Sequence, residues 1–138
     1  MNSHRIYVDT SAFYALEDCS DDNHGKAIKI RDEIRTKKIK LLTSNFVLDE
    51  TLTLLRIKLG HDIAVNFGKN IQGSKIIEIV HVTEEIEKQS WRAFVKYRDK
   101  DFSFTDCASF EIMKKYGIKR AFTFDDHFRQ GGFGINLE

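Results

Sequence analysis

Four short runs of β-forming residues, the first three each followed by a polar turn and then by apolar residues at helical spacing, leave this chain few possible folds. Arg5-Ile6-Tyr7-Val8 stops abruptly at Asp9-Thr10-Ser11. Ile39-Lys40-Leu41-Leu42-Thr43 leads into Ser44 and Asn45, either of which can cap a helix over 46–59. Residues 76–82 carry the strongest strand pattern, and Thr83 with Glu84 and Glu85 suits a helix start behind it. Ala121-Phe122-Thr123-Phe124 ends at Asp125-Asp126, and Ile135-Asn136-Leu137 reads as an edge strand. Helical patterns fill the gaps, with Asp21, Asp22 or Asn23, Asp62 and Ser103 as start signals and Gly60, Gly73 and Gly117 as stops. Proline is absent, so caps and glycines must set every boundary. The order β-α-α-β-α-α-β-α-α-β predicts a three-layer α/β/α fold. Its central sheet has four to five mostly parallel strands, joined by right-handed crossovers. At 138 residues, without repeats or linkers, residues 1–138 are expected to form a single domain.

Composition removes several function classes. Apolar runs such as Phe46-Val47-Leu48 fall far short of the ~20 residues a bilayer span needs, so no membrane association is expected. Two cysteines make no disulfide framework, and no signal pattern precedes Ile6, so a reducing cytoplasm is the expected location. The net charge is only +1. It is unevenly distributed, however: residues 1–23 hold one base against five acids, and residues 24–61 hold nine bases against four acids. Lys26, Lys29, Arg31, Arg35, Lys37, Lys38 and Lys40 form a basic segment that can attract a phosphate backbone.

Ligand sites in parallel α/β sheets lie beyond the carboxyl ends of the strands. Asp9 and Asp125 each follow a strand there, although either could simply cap a helix. Glu50 has Val47, Thr51, Leu54 and Leu55 at helical neighbour positions, which puts it on or beside the apolar stripe. Asp106 shares a face with Phe110 and Met113, and with Ser103 three residues earlier it also makes a capping-box pattern. Convergent carboxylates repel one another unless they are protonated or share a cation. Oxygen donors without Cys or His at ligand spacing suit Mg²⁺ or Mn²⁺ rather than zinc. Such a site can hydrolyse a phosphate ester.

The same residues resemble the PIN domain family, most of all small prokaryotic members of the VapC-toxin type. The resemblance rests on Asp9-Thr10-Ser11-Ala12, Val47-Leu48-Asp49-Glu50, Ser103-Phe104-Thr105-Asp106-Cys107 and Thr123-Phe124-Asp125-Asp126-His127-Phe128, which occur in order over nearly the whole chain. It implies a Mg²⁺- or Mn²⁺-dependent endoribonuclease, the toxin of a toxin–antitoxin pair, acting on RNA. Asp9, Glu50, Asp106 and Asp125 match the family's acidic quartet, which holds the metal and its attacking water. Asp9 and Asp106 are then the main metal ligands, with Glu50 and Asp125 completing the site. Thr10 and Ser11 fall where a hydroxyl commonly supports it, and Asp126 competes with Asp125 for the fourth place. The resemblance also implies a homodimer and a small antitoxin bound over the site.

Two other functions fit parts of the pattern. An aspartyl-phosphate phosphatase would use Asp9 as nucleophile, but it calls for a second acid where Ser11 stands. A non-catalytic RNA- or protein-binding module would keep the acids for structure alone. His4, His24, His61, His81 and His127 show no metal-ligand spacing; His127, two residues after Asp125, could touch a phosphate, but it is expected to be structural or solvated. Cys19 and Cys107 read as inert. Trp91 and most phenylalanines are expected in the core, although Phe13, Tyr14 or Phe128 could stack a base.

Overall fold

The structure, a computed structural model, describes residues 5–138; His4 lies outside them. Strands β1 (Ile6–Val8), β2 (Leu41–Ser44), β3 (Ile77–Val80), β4 (Arg120–Phe122) and β5 (Gly134–Ile135) form one sheet in the order β3-β2-β1-β4-β5. Every neighbouring pair is parallel, with Ile6 opposite Leu41 and Tyr7 opposite Ala121 on the two sides of β1. Helices α1 (Thr10–Glu17), α2 (His24–Thr36), α3 (Asn45–Leu59), α4 (His61–Gln72), α5 (Glu84–Lys96), α6 (Phe104–Tyr116) and α7 (His127–Gln130) connect them. This is the expected parallel three-layer architecture.

The strand order matters for function. The chain moves outward from β1 to β2 and β3, then returns to the other side of β1 for β4 and β5. The reversal opens a crevice at the carboxyl ends of β1 and β4, the topological switch point where α/β sheets bind ligands. β1 is buried along its whole length, as a central strand covered on both faces must be. Tyr7, in its middle, is fully buried and satisfies its hydroxyl against Ser44 Oγ at 3.0 Å and Ser109 Oγ at 2.8 Å. The hydroxyl network thus joins β1, β2 and α6 beneath the crevice.

Several boundaries differ from expectation, each for a local reason. The third strand is the shorter Ile77–Val80, because the Val82 amide donates to Asn45 Oδ1 at 2.7 Å instead of joining the ladder. β4 ends at Phe122, two residues before the expected end. Beyond it, the Thr123 amide donates to Asn136 Oδ1 at 3.1 Å and the Phe124 amide to Ser11 Oγ at 2.8 Å, so both leave the sheet. Asp125 therefore sits in a turn rather than directly on the strand end. α7 follows it, a short helix that the sequence pattern does not announce. The last strand is Gly134–Ile135 rather than 135–137.

The largest departure is on α5, whose inward stripe runs through Ile86, Ser90 and Ala93. Trp91 is 58% exposed and stacks on Phe94 at a ring-centroid distance of 6.0 Å, so it is not a core residue. Phe13 and Phe128 are buried, which removes both as base-stacking surfaces.

Candidate active site

Asp9 is the N-cap of α1, in the extended conformation that a residue leaving a strand for a helix requires. Its Oδ2 accepts from Ser11 Oγ and from Thr123 Oγ1, both at 2.9 Å, and from the Ser11 amide at 3.4 Å. Only 4% of the residue is exposed. Burial pushes its carboxyl up to about 6; the Ser11 and Thr123 hydrogen bonds oppose the shift and the Asp106 charge adds to it. Asp9, and not the exposed Glu50, therefore carries the cost of a buried carboxylate.

Glu50 is exposed at the margin of its helix, where Val47, Thr51 and Leu55 form the buried stripe. It is nevertheless held in place. Thr10 Oγ1 donates to Glu50 Oε1 at 2.6 Å, and Thr51 Oγ1 donates to Thr10 Oγ1 at 3.2 Å. Thr10 thus ties the start of α1 to the middle of α3.

Asp106 occupies the third position of α6 and completes a reciprocal capping box with Ser103. The Asp106 amide donates to Ser103 Oγ at 2.9 Å, and the Ser103 amide donates to Asp106 Oδ2 at 3.0 Å. The same Oδ2 lies 2.7 Å from His127 Nδ1. Burial raises the Asp106 carboxyl above its ordinary value and outweighs both the Ser103 amide and His127, which act to lower it. At His127 burial works in the lowering direction. The Asp106 hydrogen bond and the charges of Asp125, Asp106 and Asp101 overcome it, so the imidazole ends above its ordinary value.

Asp125 Oδ1 accepts from the His127 amide at 3.0 Å and lies 3.4 Å from His127 Nδ1. Asp126 turns elsewhere: it is exposed, accepts from Gln130 Nε2 at 3.0 Å and lies 3.7 Å from Arg129. One potential ligand atom from each of Asp106, Asp125 and His127 lies within 4.8 Å of the other two. Asp9 and Glu50 are not members of that tight group.

Two residues that reach the site were not singled out for it from sequence. His127 is held rather than solvated, and its structural role lies inside the site, where it bridges two of the acids. Its signal was adjacency to Asp125; its second partner, Asp106, is 21 positions away and only the fold supplies it. Thr123 reaches Asp9 only because β4 lies beside β1. The basic segment lies along α2 and the turn that follows it. Lys26, Lys29, Arg35, Lys37 and Lys38 are all exposed. Lys37 pairs with Glu33 at 3.2 Å, and Lys37 and Lys38 precede β2, at the sheet edge opposite the carboxylates. Cys107 is buried and its thiol is pushed up to about 11, which fits an inert residue.

The donor set is chemically suited to a divalent cation. Buried acids with raised carboxyls gain most from a nearby positive charge, and carboxylate oxygens match a hard divalent metal.

The chain is similar to known proteins over most of its length. The PIN domain family model matches residues 6–134. The chain is 39% identical over 128 residues to the 23S rRNA-specific endonuclease VapC20 of Mycobacterium tuberculosis, covering 93% of this chain and 95% of that protein. It is 28% identical over 123 residues to a VapC ribonuclease of Archaeoglobus fulgidus, covering 88% of this chain and 77% of that one. The crystal structure of M. tuberculosis VapC20, described as a sarcin-ricin loop cleaving toxin, superposes with a TM-score of 0.84 over 93% of this chain and 95% of that one. FitAcB from Neisseria gonorrhoeae shares the fold at a TM-score of 0.67 and 14% identity, covering 94% and 95% of the two chains. The protein thus belongs to the PIN domain family, among its VapC-type members.

Proposed function

We propose that this protein is an endoribonuclease that hydrolyses RNA phosphodiester bonds with Mg²⁺ or Mn²⁺, as the toxin of a toxin–antitoxin pair. One observation carries the reading: acids from separate segments meet at the switch point, with buried Asp9 tied to Thr123 and Asp106 linked to Asp125 through His127. Asp106 and Asp125 would hold the cation with Asp9, whose Oδ2 is already committed to two hydroxyls. When bound, the cation supplies charge neutralisation for the phosphate oxygens. Glu50 accepts from Thr10 through Oε1, which keeps Oε2 available to take a proton from the attacking water. Thr10, Ser11 and Thr123 orient these acids. Asp125 takes the fourth place rather than Asp126, whose carboxylate pairs with its own helix.

The expected setting is the cytoplasm, with a homodimer and a small antitoxin protein as partners. No helix among the described residues is long and apolar enough to cross a membrane. The first RNA to test is a 23S rRNA fragment containing the sarcin-ricin loop, because the VapC20 relative is named for that substrate. Purified protein should cleave it with Mg²⁺ or Mn²⁺ and fail to do so with EDTA or as Asp106→Asn. Cleavage that persists in EDTA, or in a folded Asp106→Asn variant, overturns the mechanism.

A further inference from the structure

Resting on that metal-site reading, we propose that His127 is a positioning residue for Asp106. With the Ser103 amide, its Nδ1–H commits Oδ2 of the carboxylate and leaves Oδ1 as the oxygen available to the cation.

Three features support this. First, the two donors reach Oδ2 from different parts of the chain: Ser103 N at 3.0 Å belongs to the cap of α6, and His127 Nδ1 at 2.7 Å to the start of α7. The capping bond alone fixes one direction of the carboxylate, and the second bond fixes its plane. Second, the imidazole is itself held. Its backbone amide donates to Asp125 Oδ1 at 3.0 Å. Its ring meets Phe102 edge-on at 5.6 Å, and Phe102 packs edge-on against Phe110 at 4.9 Å. Third, Nδ1 carries its proton both in the imidazolium and in one neutral tautomer, so donation requires no change of charge. Outer-shell donors of this kind orient metal ligands and contribute measurably to affinity.

The competing arrangement makes Nδ1 a direct ligand beside Asp106 and Asp125, which requires it to give up the bond to Oδ2. Mn²⁺ binding to the full-length protein separates the two. Titrations would compare wild type with His127→Ala, His127→Gln, His127→Asn, Asp106→Asn and the Asp106→Asn/His127→Ala double variant. Asn places an amide N–H where Nδ1–H stands, whereas Gln places it at the other ring nitrogen. Loss of the donor in His127→Ala and His127→Gln should weaken Mn²⁺ binding about 10–100-fold. His127→Asn should restore it to within about threefold. The double variant should bind no more weakly than Asp106→Asn alone, because both changes remove one coupled pair. Pulsed EPR of bound Mn²⁺ should show no directly bonded nitrogen.

A nitrogen coupling that disappears in His127→Ala, unchanged affinity in both Ala and Gln variants, or no rescue by Asn would each overturn the proposal. Failure of wild type to bind Mn²⁺ would overturn the metal-site reading beneath it. Tight wild-type binding with an unaffected His127→Gln variant would remove the positioning role alone.

Discussion

Ser11 and Thr123 lie 112 positions apart in sequence, yet their hydroxyls meet at 3.1 Å and both reach the same oxygen of Asp9. Each also accepts a backbone amide, Phe124 N at Ser11 and Asp125 N at Thr123. The pair therefore orients the Asp9 carboxylate and shapes the turn that carries Asp125. Thr123→Val keeps the volume but removes one of the donors to Asp9 Oδ2 and leaves the Asp125 amide without its acceptor. It should lower folding stability by about 1–3 kcal/mol and reduce RNA cleavage about 10–100-fold. Thr123→Ser should recover most of both. Thermal melts and single-turnover cleavage on the three proteins provide the check, and a fully active Thr123→Val would remove the role assigned to the hydroxyl.

Asp9 should make the metal-free protein less stable as pH rises. Its carboxyl sits at about 6 in the folded protein and about 4 in an unfolded chain. The folded state therefore binds the extra proton between these values, and stability declines as pH climbs from about 4 through about 6. The full effect is on the order of 3 kcal/mol, two pH units at about 1.4 kcal/mol each. Asp106, also raised by burial, contributes in the same direction. Asp9→Asn keeps an oxygen for Ser11 and Thr123 but removes the charge. Its metal-free melting temperature at neutral pH should exceed that of wild type, with a flatter pH dependence, while cleavage is lost. Mn²⁺ should stabilise wild type more near pH 7 than near pH 5, because protons compete for the same oxygens. Equal melting temperatures for Asp9→Asn and wild type across that range would contradict the burial argument.

Thr10 is the counterpart on the other flank of the crevice. Its 2.6 Å donation fixes an otherwise exposed Glu50, whose side chain would sample several rotamers without it. Thr10→Val should reduce the cleavage rate about 10–100-fold with little change in Mn²⁺ affinity, because the proposed role of Glu50 is to take a proton from the attacking water rather than to hold the cation. Thr10→Ser should restore the rate. A Thr10→Val variant that loses Mn²⁺ affinity as well would place Glu50 among the ligands.

The fold was legible because each strand advertises itself locally: Ile6-Tyr7-Val8 is a buried central strand by composition, and Ser44, Thr83 and Ser103 are caps by type. The acids at strand ends were legible because parallel topology sends them to one edge. Side-chain environment was harder to read. Helical arithmetic puts Glu50 on or beside the stripe, but it cannot see that Thr10 offers it a partner at the rim. Trp91 and Phe94 read as core from hydrophobicity, whereas the small residues Ser90 and Ala93 are what allow α5 to approach its neighbours. His127 escaped because its decisive partner, Asp106, is brought near only by the docking of α6 against the β4–α7 turn.

Lys37 and Lys38 lie in the connection entering β2, at the sheet edge remote from the carboxylates, and Lys37 is already paired with Glu33. Phosphate contacts weaken binding with salt in proportion to the charges neutralised, so a lysine that touches the RNA must contribute to the salt slope. Lys37→Gln/Lys38→Gln should leave the salt dependence of RNA binding to an Asp106→Asn protein unchanged. Lys38 also adopts a left-handed backbone with φ of 55°, which costs a non-glycine residue. Lys38→Gly should therefore raise the melting temperature slightly, by the equivalent of up to about 1 kcal/mol, without altering cleavage. A shallower salt slope in the double Gln variant would show that the RNA path wraps around to the amino-terminal edge of the sheet.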